Sequence, residues 1–588
     1  MGKNVEPDKY ENSVVFYDAI SKKWLLYHNP LRIYVTYDLK SVLNVLSAVE
    51  DDVKDNGLYA SGFVSYEASP AFDPALVAQS QGDFPLLWFG IYRQPEQITF
   101  PSFTEKYSDS IDWKPSVSEN EYSILFNRIK DYIRSGDTYQ VNYSFRLQAS
   151  FFKNPWNFFV QMIHAQGYGY GAFVHTKDWA VCSSSPELFF ALEGEHLISK
   201  PMKGTVQRGL GQDDDLEKAA WLIDSEKNKA ENVMIVDMVR NDISRLTDVS
   251  SVGVSGLFDI EKHPTLWHLT STVHCKTRAR ITDIFRALFP AASITGAPKV
   301  RTTQIIAELE NSPRKIYTGT IGSISPGRNA QFNVAIRTVL VDKKNKTAEY
   351  GVGGGIVWDS ENIDELQECY TKAKILVQPM PAFALLETIL WTPEEGYSLL
   401  DAHLKRLVDS AEYFSRSVNI EAILEMMKKL ETRLSSMPHK IRLIVPQEGE
   451  PILEFHLLTN LPQPYRIAIA KRPVDSQDHF LYHKTTYRRV YEKALAELPG
   501  YDDALLWNER EELTESCFAN VVVNINGRFL TPPLHSGMLQ GIYRSLLIRQ
   551  GKIKEEIISL QDLDHCLGIH LINSVRGMWE VSPEKLSV

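Results

Sequence analysis

A helix-like run over residues 363–376 is cut short by Val377-Gln378-Pro379-Met380-Pro381, where two prolines flank a single methionine. Proline lacks the backbone donor a helix needs and drives the residue before it into extended conformations. The helix must end there and an extended link begin. A strand-like apolar run over 383–390 opens directly afterwards. The break divides the chain into parts of about 378 and about 207 residues, and 588 residues are in any case too many for one ordinary core.

In the first part, strand-like segments at 180–182, 332–341 and 350–357 alternate with segments at 230–246 and 302–309 whose apolar residues recur at helical spacing. The strands come in hairpin-like runs rather than regular strand–helix–strand units, which predicts an α+β fold. Residues 1–115 are strand-rich and carry no recognisable chemistry, so they are expected to complete a scaffold for a catalytic core over 116–376. A domain over 1–378 and a second over 382–588 are the predicted units.

A net charge of -11, with no basic tract to overrule it, argues against a nucleic-acid partner. Such a chain must gather positive charge locally to bind an anionic substrate. The five cysteines (Cys182, Cys275, Cys369, Cys517, Cys566) are scattered and lack metal spacing, which predicts reduced structural thiols. The N-terminus has no apolar core of a leader, Glu6 stands where a myristoylation signal needs Ser or Thr, and no stretch approaches 18 apolar residues. A cytoplasmic, soluble protein with no membrane partner is expected.

Within the core lies Pro201-Met202-Lys203-Gly204-Thr205. A lysine ammonium titrates at about 10.4, so little of it is free amine near neutrality. Held in a site, it is useful chiefly as a nucleophile whose pKa the protein depresses. Four further tracts accompany it: Ser183-Ser184-Ser185-Pro186-Glu187-Leu188, Ala230-Glu231-Asn232-Val233-Met234-Ile235-Val236-Asp237, Pro290-Ala291-Ala292-Ser293-Ile294-Thr295-Gly296-Ala297-Pro298-Lys299, and Tyr350-Gly351-Val352-Gly353-Gly354-Gly355-Ile356. With the helix ending Glu368-Cys369-Tyr370-Thr371-Lys372, they resemble the chorismate-utilising enzymes over about residues 115–376. That family's fold is an α/β sandwich with large antiparallel sheets. At the pentapeptide its anthranilate synthases resemble Pro-Ile-Ala-Gly-Thr and its aminodeoxychorismate synthases Pro-Ile-Lys-Gly-Thr. Lys203 resembles the second branch.

The resemblance implies roles residue by residue. Lys203 attacks ring C2 of chorismate as the C4 hydroxyl leaves, Glu187 serves that departure as acid/base, and ammonia then adds at C4 and expels the lysine. Gln140 stands where water-adding relatives carry a lysine base, and glutamine cannot act as one. Arg337, on a predicted strand, is the arginine that grips a substrate carboxylate. Gly353 and Gly354, in a strand-to-helix glycine turn near Tyr317, aim backbone N–H groups at another. His268 lies on the substrate's leaving side, with Thr295 and Lys299 near the substrate. Glu231 and Glu368 are implied ligands of Mg²⁺, which needs only one or two protein carboxylates plus water and substrate oxygens. Asn228 replaces an acid usual three residues before Glu231, which bears on metal affinity. Read without the family, Glu361, Glu365 and Glu368 share one helix face, and Lys372 pairs with Glu368 at i+4. The glycine run fails as a dinucleotide loop because Ile356 fills the sixth position. None of the five cysteines lies in a Gly-x-Cys-x-Gly context, so a separate glutamine amidotransferase, or high free ammonia, must supply nitrogen. No Leu-Leu-Glu-Ser element lies near the N-terminus, so tryptophan feedback is not expected.

Residues 383–588 carry His403-Leu404-Lys405-Arg406-Leu407, Tyr482-His483-Lys484-Thr485-Thr486-Tyr487, Thr514-Glu515-Ser516-Cys517-Phe518-Ala519-Asn520 and Leu539-Gln540-Gly541-Ile542-Tyr543-Arg544. Their order and spacing resemble the fold-type IV pyridoxal-phosphate enzymes, an α+β class that includes transaminases and aminodeoxychorismate lyase. The resemblance implies that Lys484 binds the cofactor aldehyde and Glu515 its pyridine nitrogen. Arg406 and the Ile542 and Tyr543 amides would hold its phosphate. Arg576, in Asn573-Ser574-Val575-Arg576-Gly577, is a candidate carboxylate contact. The domain is shortened: it lacks the opening segment that walls the site in relatives, often across a dimer, and Val522 replaces a usual aromatic. Either the first domain substitutes for that segment or the second site is impaired, and a homodimer is allowed.

The expected whole is a bifunctional enzyme making 4-aminobenzoate, a folate precursor, from chorismate and ammonia. A D- or branched-chain transaminase, or an inactive interaction domain, are the alternatives for the second half. Lyase and transaminase share their residues, so this half is read from its context.

Overall fold

The computed structural model describes residues 7–101, 111–167, 169–247, 251–376, 381–447, 449–462 and 464–583. The predicted link at 377–380 lies outside them. The chain forms two compact units, one of residues 1–207 and 219–380, the other of residues 208–218 and 381–588.

The first unit is built on two ten-stranded antiparallel sheets, the large-sheet α+β architecture expected. One sheet runs through Gln140–Ser150, Thr347–Ile356, Thr338–Asp342 and Trp179–Ser183, and ends in Ser13–Asp18, Lys23–Tyr27 and Glu96–Ile98. The other has Met202–Gln207 at its edge, then Leu266–Lys276, His196–Lys200, Leu188–Glu193, Asn329–Val334 and Thr320–Ser325, followed by three strands from residues 32–92. Residues from both sheets, among them Val14, Val181 and Leu340 with Phe63, Trp88 and Ile321, share one buried cluster, so the sheets face each other. Glu119–Arg134, capped reciprocally by Ser118 and Glu121, and Pro155–Gln166, with proline in its first turn, cover the outer face of the first sheet. Val42–Asn56, Glu226–Ser244 and Ile281–Leu288 cover the second.

Two predicted elements come out differently. The single strand expected over 332–341 is two strands in different sheets, Asn329–Val334 and Thr338–Asp342. The chain changes sheet across Ala335–Arg337, and Arg337 takes a φ of 51° there, so it is not on a strand. A strand-like run interrupted only by Asn333, Arg337 and Thr338 does not mark such a switch, because both halves are buried. The glycine run is likewise no turn: Gly351–Gly355 lie inside Thr347–Ile356, paired with Gln140–Ser150 from Gly351↔Arg146 to Gly355↔Asn142.

A buried ion network fastens this region. Arg314 (2% exposed) donates to both Glu310 oxygens, at 2.6 and 3.1 Å, and to the carbonyls of Asn142 and Ile294, at 2.7 and 3.0 Å. Glu310 accepts from the Ser144 N–H at 2.9 Å and stands 3.6 Å from Arg146.

The second unit has a four-stranded antiparallel sheet (Gly396–Tyr397, Leu385–Thr392, His439–Val445, Ile452–Leu457) and an eight-stranded mixed sheet centred on Arg466–Ile469, Gly577–Pro583 and Gly568–Asn573. Residues 208–218 belong with it. Arg208 grips Asp215 at 2.6 and 2.7 Å, donates to the Tyr413 carbonyl at 2.9 Å and stacks 4.3 Å over the Tyr413 ring. All five cysteines are free, and among the described residues no helix is long and apolar enough to cross a membrane.

Removing one member of a buried ion network strands the others. Arg314→Ala should therefore lower the unfolding free energy of the first unit by about 3–5 kcal/mol, read from urea titration. A loss typical of an exposed pair, below about 1 kcal/mol, would contradict the assigned role.

Candidate active sites

In the first unit, Lys203 rides on a bulge. The pairing of Met202–Gln207 with Leu266–Lys276 slips between Met202 and Thr205, and Gly204 takes a φ of 95° that side chains rarely adopt. The bulge aims Lys203 at the glycine strand of the facing sheet. A Cβ on Gly355 would lie 2.4 Å from Lys203 Nζ and 2.6 Å from Gln140 Nε2, and one on Gly354 would lie 2.8 Å from Glu365 Oε2. The glycines are therefore room for side chains crossing the strand. Lys203 Nζ stands 3.9 Å from Glu231 Oε2.

Around this ammonium the polar groups are buried and incompletely matched. Gln140 is fully buried, and neither its side-chain oxygen nor its nitrogen has a partner. Glu187 is buried and accepts from the Ser293 hydroxyl at 2.5 Å. Burial pushes its carboxyl up to about 7 against the lowering by Ser293 and Lys203. Arg337 Nη2 faces His268 Nε2 at 3.4 Å, and Arg337 Nη1 is buried without a partner. Burial lowers Arg337 to about 10, and burial followed by the Arg337 charge drives His268 well below the usual histidine range. Among the described residues no carboxylate pairs with Arg337. A buried cation beside a neutral imidazole is a seat for an anion.

Helix Asn362–Ala373 supplies the opposite charges. Glu368 binds Lys372 at 2.8 Å, as the i, i+4 spacing predicts, and Lys372 also donates to the Gly353 carbonyl at 2.9 Å. Lys372, with help from Lys203, lowers Glu368; burial, then the Glu368 charge, raises Glu365, which accepts from Ser360 at 2.6 Å. Glu361, the third carboxylate of the predicted face, is exposed at the helix N-cap.

In the second unit a cavity of about 460 Å³ is lined by Arg406, Lys484, Arg488, Glu515, Ile542 and Arg576, among others. The Lys484 carbonyl accepts from the Leu386 N–H at 3.0 Å, which ties the lysine to the four-stranded sheet. Burial, then Arg406, lowers Lys484 to about 8. Glu515 accepts from Tyr491 Oη at 2.8 Å and Asn520 Nδ2 at 3.2 Å, and burial raises it to about 7. Arg406 forks onto Glu387 at 2.6 and 2.8 Å and donates to the Gln540 carbonyl at 3.0 Å. Burial would raise Glu387, but Arg406 and His403 override it and hold Glu387 at about 2. Gly541 caps helix Ile542–Arg549, and a Cβ there would lie 1.8 Å from Asn520 Oδ1. That close approach leaves the first helical amides, Ile542 and Tyr543, at the turn touched by Arg406.

Residues 12–378 match the family described as chorismate binding enzyme. The chain belongs to that family. Residues 384–583 match amino-transferase class IV, so a chorismate-binding domain is fused to an aminotransferase-like one. Aminodeoxychorismate synthase component 1 of Salmonella typhimurium is 36% identical over 308 residues, 52% of this chain and 66% of that protein. Anthranilate synthase component 1 of Aquifex aeolicus is 35% identical over 282 residues, 48% of this chain and 57% of that protein. The chain thus spans less than two thirds of either relative. Two solved structures share the fold: anthranilate synthase component I from Streptococcus pneumoniae (TM-score 0.50, 23% identity, 63% of this chain, 91% of that one) and the menaquinone-specific isochorismate synthase MenF of Escherichia coli (TM-score 0.53, 16%, 64% and 92%).

In this chorismate-binding chain the predicted residues meet in linked contacts: Lys203 and Gln140 at Gly355, Lys203 near Glu231, Arg337 with His268, and Glu368 joined to Gly353 through Lys372. Tyr317 packs beneath Gly351 and over Arg146. Thr295 turns its hydroxyl onto the carbonyls of Ala291 and Ala292, both at 3.2 Å. Lys299 is held by Asp242 at 2.8 Å and lines a pocket whose walls contain none of Lys203, Gln140 or Arg337. Residues 208–218 join the second unit and are not among the residues that line its cavity. Val522 fills a cluster with Leu547, Ile553 and Ile572.

Sequence reasoning missed Ser293 as the partner of Glu187, and Tyr491, Arg488, Lys440 and Arg442 in the second cavity. Ser293 stood inside a recognised tract. Tyr491 lies 24 residues from Glu515, a separation no local pattern flags.

Among the described residues no group of three or more His, Cys, Asp or Glu side chains stands ready to hold a metal ion. Glu231 stands 3.9 Å from Lys203 and Glu368 2.8 Å from Lys372, so the two would serve Mg²⁺ only in the sparse mode, in which substrate and water complete the shell. The second cavity fits pyridoxal phosphate: it joins an amine of lowered pKa, a buried carboxylate, and a helix start beside a guanidinium.

Gly355→Ala should push Lys203 and Gln140 aside and cut chorismate turnover by about 10²-fold with the fold retained, read from steady-state rates and circular dichroism. Undiminished turnover would show that the close approach is immaterial. Pyridoxal phosphate added to the wild-type chain should give an absorption band shifted from that of the free cofactor, and Lys484→Ala should leave the free-cofactor spectrum. A shifted band in that variant would remove Lys484 from its role.

Proposed function

We propose that the chain makes 4-aminobenzoate from chorismate and ammonia in two steps, by a synthase domain over 1–378 and a lyase domain over 382–588. Supporting the first step is the placement of Lys203 opposite Gln140 and beside Glu187, where water-adding chemistry would need a base that glutamine cannot be. The unmatched Arg337 cation seats a substrate carboxylate.

In the first step the Lys203 amine forms a bond to ring C2, the ring double bonds shift, and the C4 hydroxyl leaves as water with a proton from Glu187. Ammonia then bonds to C4, the Lys203–C2 bond breaks, and the displaced amine stays in place for the next turnover. Gln140 orients the ring without supplying water. Glu231 and Glu368 would hold Mg²⁺, which would supply positive charge to a substrate carboxylate. A separate glutamine amidotransferase supplies the ammonia, as the relatives' designation "component 1" suggests.

In the second step the aminated ring loses pyruvate. Bound pyridoxal phosphate supplies an electron sink. Arg406 and the Ile542 and Tyr543 amides would hold its phosphate, and Glu515 would keep its ring nitrogen protonated. Lys484 takes the proton from the carbon bearing nitrogen and returns one to the departing methylene, leaving 4-aminobenzoate. Arg576 engages a substrate carboxylate.

Chorismate, ammonium chloride, Mg²⁺ and pyridoxal phosphate supplied to the full chain should yield 4-aminobenzoate and pyruvate in equal amounts. Anthranilate would refute the first assignment, and accumulated aminodeoxychorismate the second. The pH profile gives a separate check. Glu187 has a folded-state pKa of about 7, above its unfolded value of 4.5, so it keeps its proton, and any stability linked to it, until pH rises through about 7. The kcat/KM for chorismate should fall above about pH 7 with Glu187 present, and Glu187→Gln should lose that limb along with most of its rate.

A further inference from the structure

The second cavity holds more positive charge than its cofactor would need. Six basic side chains line it against one carboxylate, Glu515. Four of the six have work or partners. Arg406 forks onto Glu387 and donates to the Gln540 carbonyl at the turn before helix Ile542–Arg549. Lys484 is the amine proposed for the cofactor aldehyde. Arg488 donates to the Cys517 carbonyl and lies 4.4 Å from the centre of the Tyr491 ring. Arg442 pairs with Glu454 at 2.6 Å.

Lys440 and Arg576 remain. Among the described residues neither side chain makes a hydrogen bond or an ion pair. Arg576 is fixed through its backbone, whose N–H donates to Asn573 Oδ1 at 2.9 Å. Lys440 belongs to strand His439–Val445, in which buried and half-buried residues alternate. Side chains two apart on a strand share a face, so Lys440 and Arg442 point the same way. The register sets Arg442 between Thr388 and Glu454, and Lys440 between Leu390 and His456. Thr388 and Leu386 also line the cavity, which makes this face of the four-stranded sheet one of its walls. The carboxylate that answers Arg442 thus has no counterpart beside Lys440. Arg576 follows strand Gly568–Asn573 of the eight-stranded sheet, so the two unmatched cations enter the cavity from different sheets.

An ammonium and a guanidinium drawn into a cavity each call for an anion. An amino acid with one carboxylate, as the transaminase alternative requires, would match one of them and strand the other. An amine with two carboxylates matches both. Tyr465, Phe518 and Trp579 line the same space and suit an unsaturated ring. We propose that Lys440 sets the specificity of this cavity, seating the second carboxylate of a dicarboxylate amine whose first is held by Arg576. The identity of that amine, aminodeoxychorismate, rests on the lyase reading; the seat for two anions stands without it.

The test uses the full chain loaded with pyridoxal phosphate. It is titrated with 3-(carboxymethoxy)benzoate, which carries a ring carboxylate and an ether-linked one, and with 3-methoxybenzoate, which lacks the second. Binding is read from the change in the cofactor's visible absorption. The wild-type chain should bind the dicarboxylate more tightly by about tenfold or more. Lys440→Met, which keeps an unbranched stem, should bring the two within about twofold, and Lys440→Arg should retain most of the preference. With aminodeoxychorismate as substrate, Lys440→Met should raise KM about tenfold while kcat stays within about threefold. Lys440→Gln repeats the test if the Met variant fails to fold. A folded, uncharged variant that keeps the full preference overturns the role of Lys440 and leaves the lyase reading intact. Loss of the cofactor band in that variant overturns it too, since the residue would then serve the cofactor. A wild-type chain with no preference overturns the seat whatever its activity. A Lys440-dependent preference without pyruvate release from aminodeoxychorismate upholds the seat and refutes the lyase.

Discussion

Arg314 and Glu310 lie in the core of the first unit, and charges so placed are tolerable only while their partners stay within hydrogen-bond reach. The partners here are parts of the candidate site. Arg314 holds the Asn142 carbonyl, two residues from Gln140, and the Ile294 carbonyl, next to Ser293. Glu310 holds Ser144, paired with Gly353 on the glycine strand. Arg146, beside Glu310, carries the Tyr317 ring. One buried network thus sets the strand that presents Gln140, the loop that presents Ser293 to Glu187, and the glycine strand paired with Ser144.

Given that frame, the glycines decide what can be brought together. Two facing sheets stand about 10 Å apart because side chains fill the gap. Lys203 comes from the edge of one sheet and Gln140 from the other, and they meet only because Gly355 leaves the intervening space empty. The bulge at Gly204 supplies the aim and the bare strand supplies the room. Neither works without the other.

Much of this was legible in the sequence, for identifiable reasons. The fold class followed from hairpin-like strand runs, and the helix pairing of Glu368 with Lys372 from i, i+4 geometry. The residues gathered over the glycine strand sat in tracts whose order carried the resemblance. What could not be read was where the chain changes direction or sheet. The run over 332–341 is apolar but for Asn333, Arg337 and Thr338, and no glycine or proline marks the left-handed Arg337, yet that change of sheet turns the arginine inward beside His268. The glycine run reads as a turn because glycine serves turns and close approaches alike, and only the side chains coming from elsewhere distinguish the two uses. Lys299, also inside a recognised tract, pairs with Asp242, a partner no local spacing flags.

The excursion at 208–218 illustrates a limit of reading domains from a linear break. The proline link marks one passage of the chain between units, but the chain also leaves the first unit at Arg208, five residues after Lys203, and returns at Ala219. Its hold on the second unit is specific: the buried Arg208–Asp215 pair, the Tyr413 hydroxyl on the Gly209 carbonyl at 2.7 Å, and the Tyr413 ring 4.2 Å from His483, the neighbour of Lys484. A buried Arg–Asp fork is stable only where every lobe is matched, and here the match is completed by the Tyr413 carbonyl. The second unit is therefore built from two separated stretches of sequence, and the segment that completes it is continuous with the strand that carries Lys203. A composition shift could not announce this, because Arg208–Lys218 reads as an ordinary acidic loop entering a helix until Tyr413, some two hundred residues later, is in place.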